Sequence, residues 1–471
     1  MQVITDSQLQ IDFEGLDQKV GTESREYGQA SDLCVMTEER CANNEPIANK
    51  DLLEAIIDRD NLELAAKKVV ANGGAGGVDT MGVQELPGWL LGNYDALTDR
   101  LRRGKYKPSP VRRVEIPKQE KGKTRQLGIP TVVDRMIQQA IVQVLTPIYE
   151  PRFSDSSFGF RPNRGCHDAL LQVQTLANEG NVWVASIDLE KFFDTVNHSK
   201  LIQLVSETIK DGRVVSLIHR FLYAGAMESG VKVRSEKGTP QGGPLSPLLA
   251  NIMLNELDQE LERRGHHFVR YADDILVLKK TEKAARRTLE SISAFIEKKL
   301  FLKVNLDKSY VARISDPEVK YLGYGFYSNK GIQFRVHPKS IERLKDKIKF
   351  ILARSNGWSL DARKRQLQYL VRGWVNYFKL ANMGKVLTRL DEWLRRKIRC
   401  VYWKQWKKNR TKFKALKKLG ISEWQAWQWA NSRKSYWRIA NSGVLARSLT
   451  NTKLQEFGWT MLSSQYAKVH C

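Results

Sequence analysis

Two acidic positions stand at the ends of apolar stretches of strand length. In Trp183-Val-Ala-Ser-Ile-Asp-Leu189, Asp188 closes a run suited to burial; in Phe268-Val-Arg-Tyr-Ala-Asp-Asp-Ile-Leu-Val-Leu278, Asp273 and Asp274 sit at the bend between two such runs. A carboxylate beside buried strands is costly unless a cation compensates it. Hard divalent ions such as Mg2+ take oxygen ligands, usually one or two carboxylates together with substrate phosphates. Two such ions roughly 3.5–4 Å apart can activate an attacking hydroxyl and stabilise a leaving oxygen. The chemistry that fits is phosphoryl transfer. Taken by itself an Asp-Asp pair reads first as a hairpin turn, because Asp favours turns; its surroundings have to decide.

The elements that would position these groups follow from periodicity. Apolar spacing predicts one or two helices over 50–72, then a flexible loop at Gly73-Gly-Ala-Gly-Gly-Val-Asp79. That loop is no Walker A element, since no Gly-Lys-Ser/Thr follows it. A helix is expected over 83–104, a β-hairpin from Val111–Pro117 and Arg125–Pro130, and an amphipathic helix over Asp134–Tyr149. The strand 182–188 comes next, then helices over 200–222, a Gly-Pro-rich turn at Gly238–Pro247 and a helix over Leu248–Arg263. Beyond Val336 the pattern is helical, with breaks near Gly357, Gly420 and Gly443.

Charge divides the chain. It has 471 residues and a net charge of +25, yet residues 1–50 hold 4 basic and 10 acidic residues, and residues 51–337 hold 42 and 35. Residues 338–471 hold 31 basic against 7 acidic, and ten of the twelve tryptophans. A basic surface set with aromatic rings suits a polyanion, because Lys and Arg neutralise phosphates while rings stack on bases. A single Trp or Lys there reads more simply as core or solvated face; the one-sided excess of the whole segment points to nucleic acid. No stretch approaches a membrane span, and residues 1–10 lack a signal pattern. The five cysteines form no CxxC pair, which argues against a disulfide framework or a Cys-based zinc site and for a reducing cytoplasm.

Seven motifs in order turn this reading into a family resemblance. They are Gly74-Ala-Gly-Gly-Val-Asp79, Ile129-Pro-Thr-Val-Val-Asp-Arg135, Phe158-Gly-Phe-Arg-Pro-Asn163, Gly238-Thr-Pro-Gln-Gly-Gly-Pro-Leu-Ser-Pro247, Tyr271-Ala-Asp-Asp274, Tyr321-Leu-Gly-Tyr-Gly-Phe326 and Arg372-Gly-Trp-Val-Asn-Tyr-Phe378. With Ser186-Ile-Asp-Leu-Glu-Lys-Phe-Phe-Asp194, they resemble bacterial group II intron-encoded reverse transcriptase/maturases, especially the short kind without an endonuclease domain. The resemblance covers about 51–471, roughly nine tenths of the chain. It implies an α+β, right-hand polymerase fold: fingers and α/β palm with an N-terminal extension over 51–337, a helical thumb (maturase) domain over 338–408, and a small basic helical DNA-binding domain over 409–471. Residues 1–50, for which the family offers no counterpart, are expected to be a flexible acidic tail.

By matching motif, the resemblance assigns Asp188, Asp273 and Asp274 to a metal-binding triad for two Mg2+ ions, which Mn2+ can replace, with the Leu189 carbonyl as a further ligand. Lys118 and Arg125 would face the triphosphate of a dNTP, with Lys121 and Lys123 as alternatives because hairpin register is open. A point charge and a planar guanidinium suit the charge that builds on phosphates. Gln241 would lie against the incoming nucleotide, and Phe193 would be the steric gate against a 2′-hydroxyl, unless it is a core aromatic beside Phe192. Asp194 reads as structural, and His198, His266 and His267 as surface imidazoles. Phe301 departs from the family, which often has Gly there; no Cys-pair/His nuclease module follows the basic region, so second-strand cutting is not expected. The implied partners are intron RNA as template, a DNA or RNA primer, target DNA and dNTPs; no protein partner is identified. Two rivals are another cellular reverse transcriptase (retron, diversity-generating or CRISPR-associated), against which the Arg372–Phe378 motif speaks, and a splicing-only RNA-binding maturase, against which the intact triad speaks.

Overall fold

Apolar runs of four to six residues fold into the strands that organise the first part of the chain. The computed structural model describes residues 51–117, 124–228, 231–233, 237–239 and 242–470. The expected acidic tail lies outside them. A four-stranded antiparallel sheet holds β3 (Trp183–Ile187), β6 (His267–Tyr271), β7 (Asp274–Lys279) and β8 (Tyr310–Arg313), in the order β6-β7-β3-β8. Ile275–Leu278 of β7 are all buried, as are Val184, Ala185 and Ile187 of β3, so both central strands read as near-continuous apolar runs. The helices Glu282–Phe295, Cys166–Asn178 and Leu245–Arg263 pack on this sheet. The first starts where the Thr281 side chain accepts the Ala284 N–H.

A second sheet holds β1 (Val111–Pro117), β2 (Thr124–Ile129), β4 (Ala226–Glu228) and β5 (Val231–Val233), in the order β2-β1-β4-β5, with β1 parallel to β4. Beside it the helix Val132–Tyr149 buries Met136, Ile137, Ala140, Ile141 and Leu145 against Leu52–Ile57 and Arg59–Asn72. Its first turn is locked: buried Asp134 accepts from Tyr106 Oη (2.7 Å), Thr131 Oγ1 (2.7 Å) and the Ser109 N–H (3.1 Å). Burial pushes the Asp134 carboxyl pKa up against the pull of those bonds. Arg135 donates to the carbonyls of Gly73 (3.2 Å) and Ala75 (2.8 Å), which ties down the glycine-rich loop. A Cβ on Gly77 would fall 2.6 Å from the Thr131 Cα, so the loop meets the helix start backbone to backbone.

The chain divides into two compact units between Ile314 and Ser315. The second contains the hairpin β9 (Tyr324–Ser328) and β10 (Ile332–Val336), followed by helices that include Pro338–Ile351, Leu360–Tyr377 and Gly384–Gln405. The Arg372–Phe378 motif ends in buried Phe378, whose ring lies 5.0 Å from that of Tyr324 and 4.8 Å from that of Trp374. Two of the quoted motifs therefore meet in one aromatic cluster. Asp391 accepts from the N–H groups of Leu462 (2.8 Å) and Ser463 (2.9 Å), anchoring the helix Leu462–His470. Among the described residues no helix is long and apolar enough to cross a membrane.

Candidate active site at the sheet end

Strand register carries the three aspartates to one end of the sheet. The last paired residues of β3 and β7 are Ile187 and Ile275, which leaves Asp188 and Asp274 as the next residue of each strand at the same end of the sheet. Tyr271 pairs with Asp274, leaving Ala272 and Asp273 as a two-residue turn with Ala272 in the left-handed region (φ +55°). Asp273 is half-buried and Asp274 exposed. The buried sheet supplies rigidity, and its open end presents the oxygens.

A segment more than a hundred residues further on completes that end. The Asp188 N–H donates to Ser309 Oγ (3.0 Å), and the Asn305 N–H donates to the Asp188 carbonyl (2.8 Å). Leu189, whose side chain is buried, pairs with Val304, and the Glu190 N–H donates to the Lys303 carbonyl (2.8 Å). Lys308 Nζ lies 3.9 Å from Asp188 Oδ2. In the sequence this stretch stood out only at Phe301, just before it, as a departure from the family.

Phe193 sits in the short helix Phe192–Thr195, half-buried, its ring 5.2 Å from that of Phe192. Its carbonyl accepts the Thr239 N–H (2.6 Å), and the Gly238 N–H donates to Val196 O (2.8 Å). A Cβ on Gly238 would meet the Phe193 and Asp194 carbonyl oxygens at 2.9 Å, so the Gly238 turn lies directly on the backbone of this helix. His198 corrects the expectation of a surface imidazole: it is 1% exposed, and its Nε2 donates to the Gly238 carbonyl (2.6 Å). Burial comes from the turn folding back over the helix His198–Thr208. The same burial holds its pKa below the ordinary value, against the Gly238 hydrogen bond. His266 is half-buried and accepts from Lys279 Nζ (2.6 Å); desolvation, then Lys279, lowers its pKa to about 4. His267 is exposed, as expected.

Lys118, Lys121, Lys123 and Gln241 lie outside the described residues, and Arg125 is placed by backbone only, opposite Ile116 in the β1–β2 pair. The three aspartates offer oxygen ligands only, at a part-exposed sheet end, the donor type that a hard divalent cation takes. Among the described residues no group of three or more His, Cys, Asp or Glu is gathered closely enough to hold a metal ion.

In the second unit, Lys404, Lys407, Lys408 and Arg410 are exposed, and Trp424 (72%) and Trp427 (55%) face solvent. Arg396 lies 3.8 Å over the Trp437 ring. Trp403 and Trp459 are core residues instead, and Trp459 Nε1 donates to Tyr402 Oη (3.1 Å).

Residues 116–326 match the family of reverse transcriptases (RNA-dependent DNA polymerases), and residues 341–420 match the group II intron maturase-specific domain. Protein YkfC of Escherichia coli (strain K12) is 34% identical over 313 residues, 58% of this chain and 82% of that protein. The group II intron-encoded protein LtrA of Lactococcus lactis subsp. cremoris is 34% identical over 290 residues, 48% of either chain. Among solved structures, a chain of a partial Cas6-RT-Cas1–Cas2 complex is similar at 24% identity over 52% of this chain and 42% of that one, with a TM-score of 0.34. The chain belongs to the group II intron-encoded reverse transcriptase/maturases. It spans about half the length of LtrA.

Proposed function

We propose that the protein is an RNA-directed DNA polymerase that copies its own intron RNA during insertion at a DNA site and binds that RNA to assist its splicing. The observation that carries this reading is the β3–β7 register, whose last pair, Ile187 and Ile275, leaves Asp188 and Asp274 at one end of the sheet, beside the turn that holds Asp273. The primer 3′-hydroxyl attacks the α-phosphorus of a dNTP, its proton passes to solvent, the new P–O bond forms, and the bond to the bridging oxygen breaks to release pyrophosphate. Asp188, Asp273 and Asp274 would hold two Mg2+ ions, with Mn2+ as a substitute and the Leu189 carbonyl as a further ligand. When bound, such ions lower the pKa of the attacking hydroxyl and stabilise the leaving oxygen. Asn305 and Ser309 fix the Asp188 backbone from both sides. Phe193 would exclude a 2′-hydroxyl, held by its own carbonyl bond to the Thr239 turn. Lys118, Arg125 and Gln241 are proposed to line the nucleotide.

Residues 51–337 would form fingers and palm, 338–408 the thumb and 409–471 a DNA-binding domain. The exposed basic and aromatic residues of the second unit would supply affinity for intron RNA and target DNA. The maturase-specific match at 341–420 supports this over another kind of cellular reverse transcriptase. The test is extension of a DNA primer on an RNA template with each dNTP and Mg2+, run beside splicing of the flanking intron RNA. Failure of extension by the folded chain would return the protein to the splicing-only reading.

A further inference from the structure

Beneath the Ala272–Asp273 turn lies a charge that the chemistry described so far does not use. Arg270 is wholly buried (0% exposed) near the end of β6, and so is its partner Asp258 in the helix Leu245–Arg263. Arg270 Nε and Nη2 donate to the Asp258 carboxylate at 2.8 and 2.6 Å. Its Nη1 donates to Asn251 Oδ1 (3.0 Å) and to the Ala272 carbonyl (3.0 Å). Asn251 in turn donates from Nδ2 to the Gly159 carbonyl (2.9 Å). The backbone closes the same assembly: the Arg270 N–H donates to Ser156 O and its carbonyl accepts from the Phe158 N–H, both at 2.9 Å.

Stability alone does not account for this arrangement. A buried ion pair replaced by apolar residues of similar volume is often neutral or stabilising, because desolvating both charges costs what their attraction returns. The guanidinium does one thing that an apolar side chain cannot. One Nη1 holds the carbonyl of Ala272, a non-glycine residue in the left-handed region, and so sets the peptide plane from which Asp273 departs. The planar fork is required, since five fixed N–H directions reach Asp258, Asn251 and Ala272 together, whereas an ammonium is a single compact charge. Gly159 closes the other side: a Cβ there would stand 2.3 Å from the Ala272 nitrogen.

We propose that Arg270, with Asp258 and Asn251, is a positioning residue for the polymerase reaction, fixing the Ala272–Asp273 peptide so that Asp273 and Asp274 meet Asp188 in one geometry. The role rests on the polymerase reading above, and the experiment separates the two. The full chain carrying Arg270→Lys, and separately Asn251→Ser, is compared with the parent in thermal unfolding, primer–template affinity, single-turnover extension at saturating dNTP, and amide hydrogen exchange over residues 268–276. Arg270→Lys keeps a charge for Asp258 and loses the bridge; it is expected to bind primer–template as the parent does. It should extend about 10–100-fold more slowly, the scale of a misplaced reacting group, and exchange the turn amides faster. Asn251→Ser leaves the ion pair intact and should shift both readouts in the same direction by less. Parental rate and exchange in a folded Arg270→Lys chain would overturn the proposal. So would a fall in rate matched by an equal fall in primer–template affinity in both variants, which marks general structural support. If the parent itself does not extend a primer, the polymerase reading fails, while the exchange rates still decide whether Arg270 fixes the turn.

Discussion

Lys308 Nζ stands 3.9 Å from Asp188 Oδ2, and the neighbouring Ser309 accepts the Asp188 N–H at 3.0 Å. One short segment thus holds the backbone of the first aspartate and lays a cation beside its carboxylate. The pair is part-exposed, so its worth to stability is small, about 0–1 kcal/mol. Its placement says more: the sheet end draws positive charge.

Asp273→Ala should therefore remove chemistry and spare binding. Primer extension is expected to fall by about 10²-fold or more, the scale on which removing one stabilising group acts, with RNA affinity unchanged. Filter binding and single-nucleotide extension on the same preparation check it. Equal extension by a folded variant would withdraw the aspartate from the site.

Phe193→Val opens space beside the Thr239 turn while keeping the helix Phe192–Thr195 apolar. Ribonucleotide use relative to deoxyribonucleotide use should rise about 10-fold or more, as expected when a filled pocket loses ring volume. Competing rNTP and dNTP incorporation measures it directly. Unchanged selectivity would leave Phe193 as packing for Phe192.

His198 gives a pH dependence of known sign. Its Nε2 hydrogen is taken by the Gly238 carbonyl, and among the described residues its buried Nδ1 has no partner, so a second proton finds no acceptor. The folded pKa is lowered by burial, below an unfolded value near 6.5. The stability contribution is then complete above pH 6.5 and is lost as pH falls from there toward the folded pKa. His198→Gln keeps a donor for Gly238 without the titration. The parent's melting temperature should fall between pH 7 and 5.5, and the variant should show a shallower fall in the same scan.

Phe301 occupies a left-handed position (φ +55°) with 59% of its surface exposed. The strain of a side chain there exceeds the entropy cost of glycine, so Phe301→Gly should stabilise the chain by about 0.5–1 kcal/mol. Urea unfolding of parent and variant checks it, and a destabilised variant would mean that the exposed ring packs usefully.

Neutralising exposed Lys404, Lys407, Lys408 and Arg410 to Gln should weaken binding of structured RNA. It should also reduce the slope of log K against log salt by about 1 for each side chain that touches phosphate. Single-nucleotide addition on a saturating short primer–template should be kept. A salt titration of parent and variant decides it; an unchanged slope would make these residues a solvated helix face.

The strands that carry the aspartates were legible because their burial is written locally. Ile275–Leu278 is an unbroken apolar run, and Val184–Ile187 one broken only by Ser186, both of strand length, which suits a sheet buried on both faces. The helix Val132–Tyr149 showed its apolar face in the same way. What stayed hidden came from pairing at a distance. β8 (Tyr310–Arg313) has half-exposed, mixed residues and becomes a strand because β3 offers it an edge. Nothing local ties Asn305 or Ser309 to Asp188; they reach it through a chain reversal of more than a hundred residues. His198 reads as an ordinary first-turn residue until the Gly238 turn covers it. Arg270 was the missed local signal, a full charge inside the apolar run 268–271 whose neutraliser had to lie on another element.

The near-contact between Gly159 and the Ala272 nitrogen has a consequence for protein engineering. The Tyr271–Asp274 turn is not a cassette that can be lifted out by sequence, since half of its mould lies in residues 156–159 and half in Asn251 and Asp258. A chimera that swaps the turn with a distant polymerase while keeping its own 156–159 would import a backbone path for which the facing loop has no clearance. The smallest portable unit is therefore discontinuous in sequence: two strands, one loop and one helix face, inherited together or not at all.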